Sequence, residues 1–141
     1  MLLAVVDASV VVKWFVEEEN SSKAIEIRDK YVNAELKLIA PEILLFEVLN
    51  ALFYKKLFSE TEMKSVCEAL QAYSIELYPL EGDYCYKTIE IAFKNRITIY
   101  DAAYVALAVE KDAFVYTADE RLKNMLAEEY KRYVKILKEI W

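Results

Sequence analysis

The chain has no histidine, one glycine, two prolines and two cysteines among its 141 residues. Each shortage removes a class of chemistry. Without histidine there is no serine-histidine-aspartate or cysteine-histidine nucleophile, no imidazole acid or base, and no histidine-bound zinc. Gly82 alone cannot build a glycine-rich phosphate loop or a dinucleotide-binding fingerprint. Cys67 and Cys85 are not at metal-ligand spacing and read as buried free thiols. The longest apolar stretch, residues 99–109, carries Asp101 and falls well short of the roughly 20 residues that span a bilayer, so no membrane segment is expected. The first seven residues lack a basic leader and run straight into a strand-like pattern, from which a cytoplasmic location is expected. Carboxylates, amides, hydroxyls, lysine and arginine remain to carry any chemistry.

What is present is apolar and acidic. Hydrophobic residues make up 57% of the sequence, above the usual globular share, so a core is easily supplied and a surplus must be hidden by self-association or a partner. Residues 1–141 are the length of one domain, and no linker, repeat or low-complexity tract divides them. Short β-branched runs at 3–6, 36–40, 74–78 and 113–116 read as strands, and 133–137 as a last edge strand or the start of a terminal helix. Helical spacing covers 8–16, 20–32, 42–57, 59–73, 83–94, 100–111 and 119–130, with Pro41 placed as a helix start and Ser59 and Glu62 spaced as a capping box. Strands alternating with helices give an α/β domain whose mainly parallel sheet is covered on both faces.

Four acids stand in apolar surroundings. Asp7 is the one charge in residues 1–12, inside Val5-Val6-Asp7-Ala8-Ser9. Glu47 interrupts an almost wholly apolar helix, with Asn50 one turn on and on the same face. Asp101 is the sole strongly polar residue of 99–109, and Asp119 follows the 113–116 strand. Each has a local alternative: a helix cap for Asp7 and Asp101, a salt bridge or a solvent stripe for Glu47, and a capping box between Thr117 and Glu120 for the segment around Asp119. Together they favour one site, because Asp7 and Asp119 lie just past strand ends, where open α/β sheets place their ligand crevice. Carboxylates gathered there need a counter-charge. All-oxygen donors favour Mg2+, with Mn2+ a ready substitute, and hydrated Mg2+ engages phosphate oxygens, so a phosphate ester is the implied substrate. A phosphatase or phosphoacceptor site would want two acids at the first strand end, where Asp7 stands alone.

In this order, Val5-Val6-Asp7-Ala8-Ser9, Glu47-Val48-Leu49-Asn50-Ala51-Leu52, Ile99-Tyr100-Asp101-Ala102-Ala103-Tyr104 and Tyr116-Thr117-Ala118-Asp119-Glu120 resemble the PIN-domain VapC toxins over essentially the whole chain. The resemblance implies a three-layer α/β/α sandwich around a five-stranded, mainly parallel sheet, and a homodimer. It implies Mg2+-dependent endonucleolytic cleavage of RNA and neutralisation by a cognate VapB-like antitoxin. It makes Asp7, Glu47, Asp101 and Asp119 the metal-binding and catalytic acids, with Ser9, Asn50 and Thr117 as polar supports. On this reading Asp7, Asp101 and Asp119 hold Mg2+, while Glu47 holds a second ion or orients the attacking water. A housekeeping RNA-processing nuclease, or an interaction domain with a vestigial acidic site, are the competing readings. The net charge of −6 opposes binding to nucleic acid. Lys13, Lys94, Arg96, Arg121 and Lys123 flank the four acids in sequence and are therefore expected to form a local basic rim, with Lys13 and Arg96 contacting substrate, against the alternative that such cations are simply solvated.

Overall fold

The computed structural model describes residues 2–140. Its five strands are β1 (Leu2–Val6), β2 (Leu36–Pro41), β3 (Glu76–Tyr78), β4 (Phe114–Thr117) and β5 (Val134–Ile136). They form one sheet in the order β3-β2-β1-β4-β5, and every pairing is parallel. β1 sits at the centre and reads as a continuous apolar run because both of its faces are covered; Ala4, Val5 and Val6 are fully buried. The sheet is therefore wholly parallel, with the last strand at an edge.

The helices are α1 (Ala8–Val12), α2 (Ser21–Val32), α3 (Leu44–Lys55), α4 (Glu60–Tyr73), α5 (Gly82–Asn95), α6 (Ile99–Lys111), α7 (Glu120–Met125) and α8 (Glu128–Lys131). The chain moves outward from β1 to β3 and then returns to β4 and β5 on the other side of β1. With right-handed crossovers, α1 to α4 cover one face of the sheet and α5 to α8 the other, which gives three layers. α6 is the central helix of its layer, packed over β1, β2 and β4 and buried continuously from Ala102 to Ala108.

Several local expectations change. Pro41 ends β2 instead of opening a helix, and α3 starts at Leu44, so Glu47 lies in the first turn and not mid-helix. The first helix stops at Val12. The stretch expected as one helix over 119–130 is two short ones, because Ala127 N–H donates to the buried Asn95 side chain at 2.7 Å and Leu126 turns extended into the core. That bond comes from a residue far away in sequence, which helical spacing does not register. The Ser59 capping box forms, with both reciprocal hydrogen bonds made. Cys67 and Cys85 are free thiols but only partly buried. Helix α3 is buried on one face only despite being apolar nearly all round: Leu44, Val48 and Leu52 are in the core, while Phe46, Phe53 and Tyr54 face solvent.

Candidate active site

β1 and β4 are neighbours whose connections leave in opposite directions, and the crevice at their C-terminal ends is the switch point of the sheet. Asp7 follows β1 there, held by its N–H donating to the Tyr116 carbonyl at 3.0 Å. It occupies the N-cap position of α1, yet its side chain makes no capping bond. Instead Oδ2 accepts from Ser9 Oγ at 2.6 Å and Thr117 Oγ1 at 2.7 Å. Thr117 is fully buried and accepts from Asp119 N–H at 3.0 Å, while Ser9 Oγ accepts from Ala118 N–H at 2.9 Å. Each hydroxyl has one proton, and both protons go to Asp7. The hydroxyls thus lock the end of β4 onto the Asp7 carboxylate.

The other three acids arrive from separate helices. Asp101 lies in the first turn of α6, whose cap is Thr98: its Oγ1 accepts from Asp101 N–H at 3.0 Å. The Asp101 carboxylate is therefore not needed as the cap. Asp119 does cap α7, with Oδ1 accepting from Leu122 N–H at 3.2 Å, and the Thr117–Glu120 capping box does not form because the helix starts at Glu120 with Asp119 as its cap, while the Thr117 oxygen accepts from Asp119 N–H. Glu47 has no ion pair among the described residues; its Oε1 accepts from the Tyr104 hydroxyl at 2.5 Å. Tyr104 is 1% exposed and was not singled out by the sequence pattern. A signal existed: a tyrosine one turn past Asp101 on an otherwise apolar buried helix must find a partner for its hydroxyl.

All four carboxylates are half-buried. Burial pushes Asp7 up from the ordinary carboxylate range, and the Ser9 and Thr117 donors only partly oppose it, while Asp101 adds to the rise. Burial likewise raises Glu47, against the Tyr104 bond, with the charges of Asp7 and Asp101 adding to it. Asp101 is raised by burial and by Asp119, while Thr98 and Arg121 pull the other way. The four acids thus repel one another as a group, and no lysine or arginine forms an ion pair with any of them among the described residues. Nor do any three acids among those residues converge closely enough to cage an ion unaided. The side-chain donors of Asp7, Glu47, Asp101 and Asp119 are all oxygen, the chemistry that suits a hard cation such as Mg2+ or Mn2+.

Other residues named from sequence have these surroundings. Asn50 is exposed, and no hydrogen bond joins it to Glu47 among the described residues. Lys13 is only 11% exposed and pairs with Glu18 at 3.2 Å, while Glu18 also pairs with Lys55 at 3.1 Å, tying α1 to α3. Arg96 is exposed and ends α5 in the left-handed conformation, at φ 55°. Lys94 is paired with Glu129, and Lys123 with Glu139 at 3.7 Å. No helix among the described residues is long and apolar enough to cross a membrane.

The PIN domain family model matches residues 4–127. The chain is 30% identical to Ribonuclease VapC3 of Pyrobaculum aerophilum over 125 residues, which cover 84% of this chain and 90% of the relative. Among solved structures it resembles a toxin–antitoxin complex from Klebsiella pneumoniae, with a TM-score of 0.66 at 14% identity and coverage of 97% and 99% of the two chains. It also resembles VapBC2 of Rickettsia felis bound to a DNA fragment from its promoter, with a TM-score of 0.63 at 12% identity over 96% and 98%. At those identities the structural likeness speaks for the fold alone. With the family model spanning most of the chain and a VapC ribonuclease matched over most of its length, the chain belongs to the PIN-domain family, in its VapC ribonuclease group.

Proposed function

We propose that this protein is a Mg2+-dependent endoribonuclease and the toxin of a toxin–antitoxin pair. One feature supports the reading: near the switch point of the sheet, burial and one another's charge raise the pKa of Asp7, Glu47 and Asp101, the charge of Asp119 adds to the rise at Asp101, and no ion pair to any of the four acids forms among the described residues. Such a charge concentration costs folding stability and is explained by a ligand that neutralises it. Asp7, Asp101 and Asp119 would hold Mg2+, or Mn2+ in its place, and Glu47 a second ion or the attacking water. When bound, the ion would lower the pKa of that water and offset charge at the scissile phosphate. The protein's own part is orientation: Ser9 and Thr117 fix one oxygen of Asp7, and Tyr104 fixes one oxygen of Glu47.

Support for RNA as substrate comes from the name of the 30% identical relative, a ribonuclease, and support for an antitoxin partner comes from the assemblies this fold resembles. Incubating structured RNA with the protein and Mg2+ is expected to give fragments with 5′-phosphate and 3′-hydroxyl ends. EDTA should abolish cleavage, and Asp101→Asn should reduce it at least ~100-fold, since even groups that only support metal ligands are worth 10–100-fold. Cleavage that survives both EDTA and the substitution, or 2′,3′-cyclic phosphate ends, would overturn the reading.

A further inference from the structure

A cavity of about 320 Å³ opens between the starts of α3 and α6, its aromatic walls being Phe46, Tyr78, Tyr84 and Tyr100, with Ile99 and Glu42 also contributing. It flanks the same two helix turns that carry the site: Phe46 precedes Glu47 in α3, and Tyr100 precedes Asp101 in α6. Resting on the nuclease reading above, we propose that this cavity receives a nucleobase of the RNA strand cut at the acids, and prefers a base with an exocyclic amino group.

Three observations favour a base over other occupants. The first is shape and chemistry. The volume is at the small end of ligand pockets and cannot admit a helix 10–12 Å across, whereas a planar ring fits it. Tyr84 and Tyr78 are pinned by their hydroxyls, which donate to the Ala103 carbonyl at 2.8 Å and to Glu76 at 2.9 Å. Phe46 and Tyr100 are 74% and 58% exposed, so the cavity joins two hydroxyl-anchored rings to two open ones, and Lys111 lies over the Tyr78 ring at 4.6 Å. Unstacked RNA bases are recognised on such aromatic surfaces.

The second is charge. The chain has a net charge of −6 and its Lys13, Lys94 and Lys123 are already paired, which leaves fewer cations for phosphates, Arg96 and Arg121 among them, so contacts that are not ionic add to its hold on RNA. The third is the one carboxylate in the wall. Glu42 has no ion pair among the described residues, and an ionised carboxylate only accepts hydrogen bonds. It suits the exocyclic amino group of cytosine, adenine or guanine, and uracil alone has none.

The test uses the full chain and 5′-fluorescein-labelled ten-nucleotide RNAs of A, C or U, with fluorescence anisotropy read in EDTA so that nothing is cut. The A or C oligomer should bind at least about fivefold more tightly than the U oligomer. Phe46→Ala and Tyr100→Ala should each weaken binding about fivefold or more, the usual worth of one stacked base. Glu42→Gln should level the preference between amino-bearing bases and uracil. Binding by all three variants that equals wild type overturns the proposal. So does a changed sedimentation coefficient for Phe46→Ala or Tyr100→Ala with RNA affinity intact, which would make the cavity a contact between protein chains. Parallel digests with Mg2+ separate this inference from the one beneath it. RNA bound in the expected pattern but never cut leaves the base site standing and removes the nuclease. RNA cut with unchanged base preference by all three variants does the reverse.

Discussion

Asp7, Glu47 and Asp101 are all held above their ordinary pKa, first by burial and then by one another. A carboxyl whose pKa is higher in the folded chain than in the unfolded one binds its proton more readily when folded, so stability falls as pH rises from the ordinary carboxylate value through the raised one. The metal-free protein carries this destabilisation in full once the pH lies above the raised values. Asp101→Asn removes one of the repelling charges while leaving the Thr98 cap on the backbone untouched. Calorimetry in EDTA at pH 7 is therefore expected to show a Tm a few degrees above wild type, the shift that follows from a gain on the order of 1 kcal/mol in a domain of this size. The difference should vanish below about pH 3.8, where the wild-type carboxyl is protonated even when unfolded. A lower Tm for the variant at pH 7 would mean that the Asp101 carboxylate holds the fold together. The anomaly of each acid was legible from its apolar neighbours. Which oxygen is held by Ser9, Thr117 or Tyr104 was not, because those partners are fixed by contacts spanning up to 110 residues.

Helix ends show what scarcity of glycine does to the elements. α3, α4, α5 and α6 all close on a left-handed residue, namely Lys56, Ser74, Arg96 and Asp112, with φ between 51° and 57°. Glycine is the usual occupant of that position because any Cβ there crowds the following carbonyl. Lys56 makes no ion pair among the described residues, so Lys56→Gly tests the backbone term alone. Urea unfolding should show a gain of about 0.5–1 kcal/mol, the relief of the left-handed strain less the extra freedom glycine gives the unfolded chain. A loss would mean that the lysine stem packs usefully on α3. Elements with strong local signals were readable in advance, as the Ser59 capping box and the β1 run show. The break between α7 and α8 was not, since the Asn95 side chain that makes it belongs to another helix.

The molecule as a whole leaves an apolar stripe uncovered. Phe53 and Tyr54 on α3 and Leu57 just after it are exposed, as are Tyr86, Ile89 and Phe93 on α5. Exposed apolar area in this quantity marks an association surface, and a homodimer is the partner proposed for it. Phe53→Glu is expected to convert a dimer to a monomer in sedimentation velocity while leaving the far-UV circular dichroism unchanged; a wild-type protein that sediments as a monomer throughout removes the dimer. By itself the sequence determined the fold class, because alternating strand and helix periods on a chain with one glycine leave few ways to bury so much apolar surface. It also determined which four acids are out of place, since a lone carboxylate among valines and alanines costs free energy wherever the chain puts it. Only the tertiary structure decided that Tyr104 and Thr117 hold the acids, that Lys13 is tied to Glu18, and that an aromatic cavity opens between the starts of α3 and α6. The reason is physical: periodicity records how a residue sits on its own element, while hydrogen bonds, ion pairs and cavities depend on how distant elements pack.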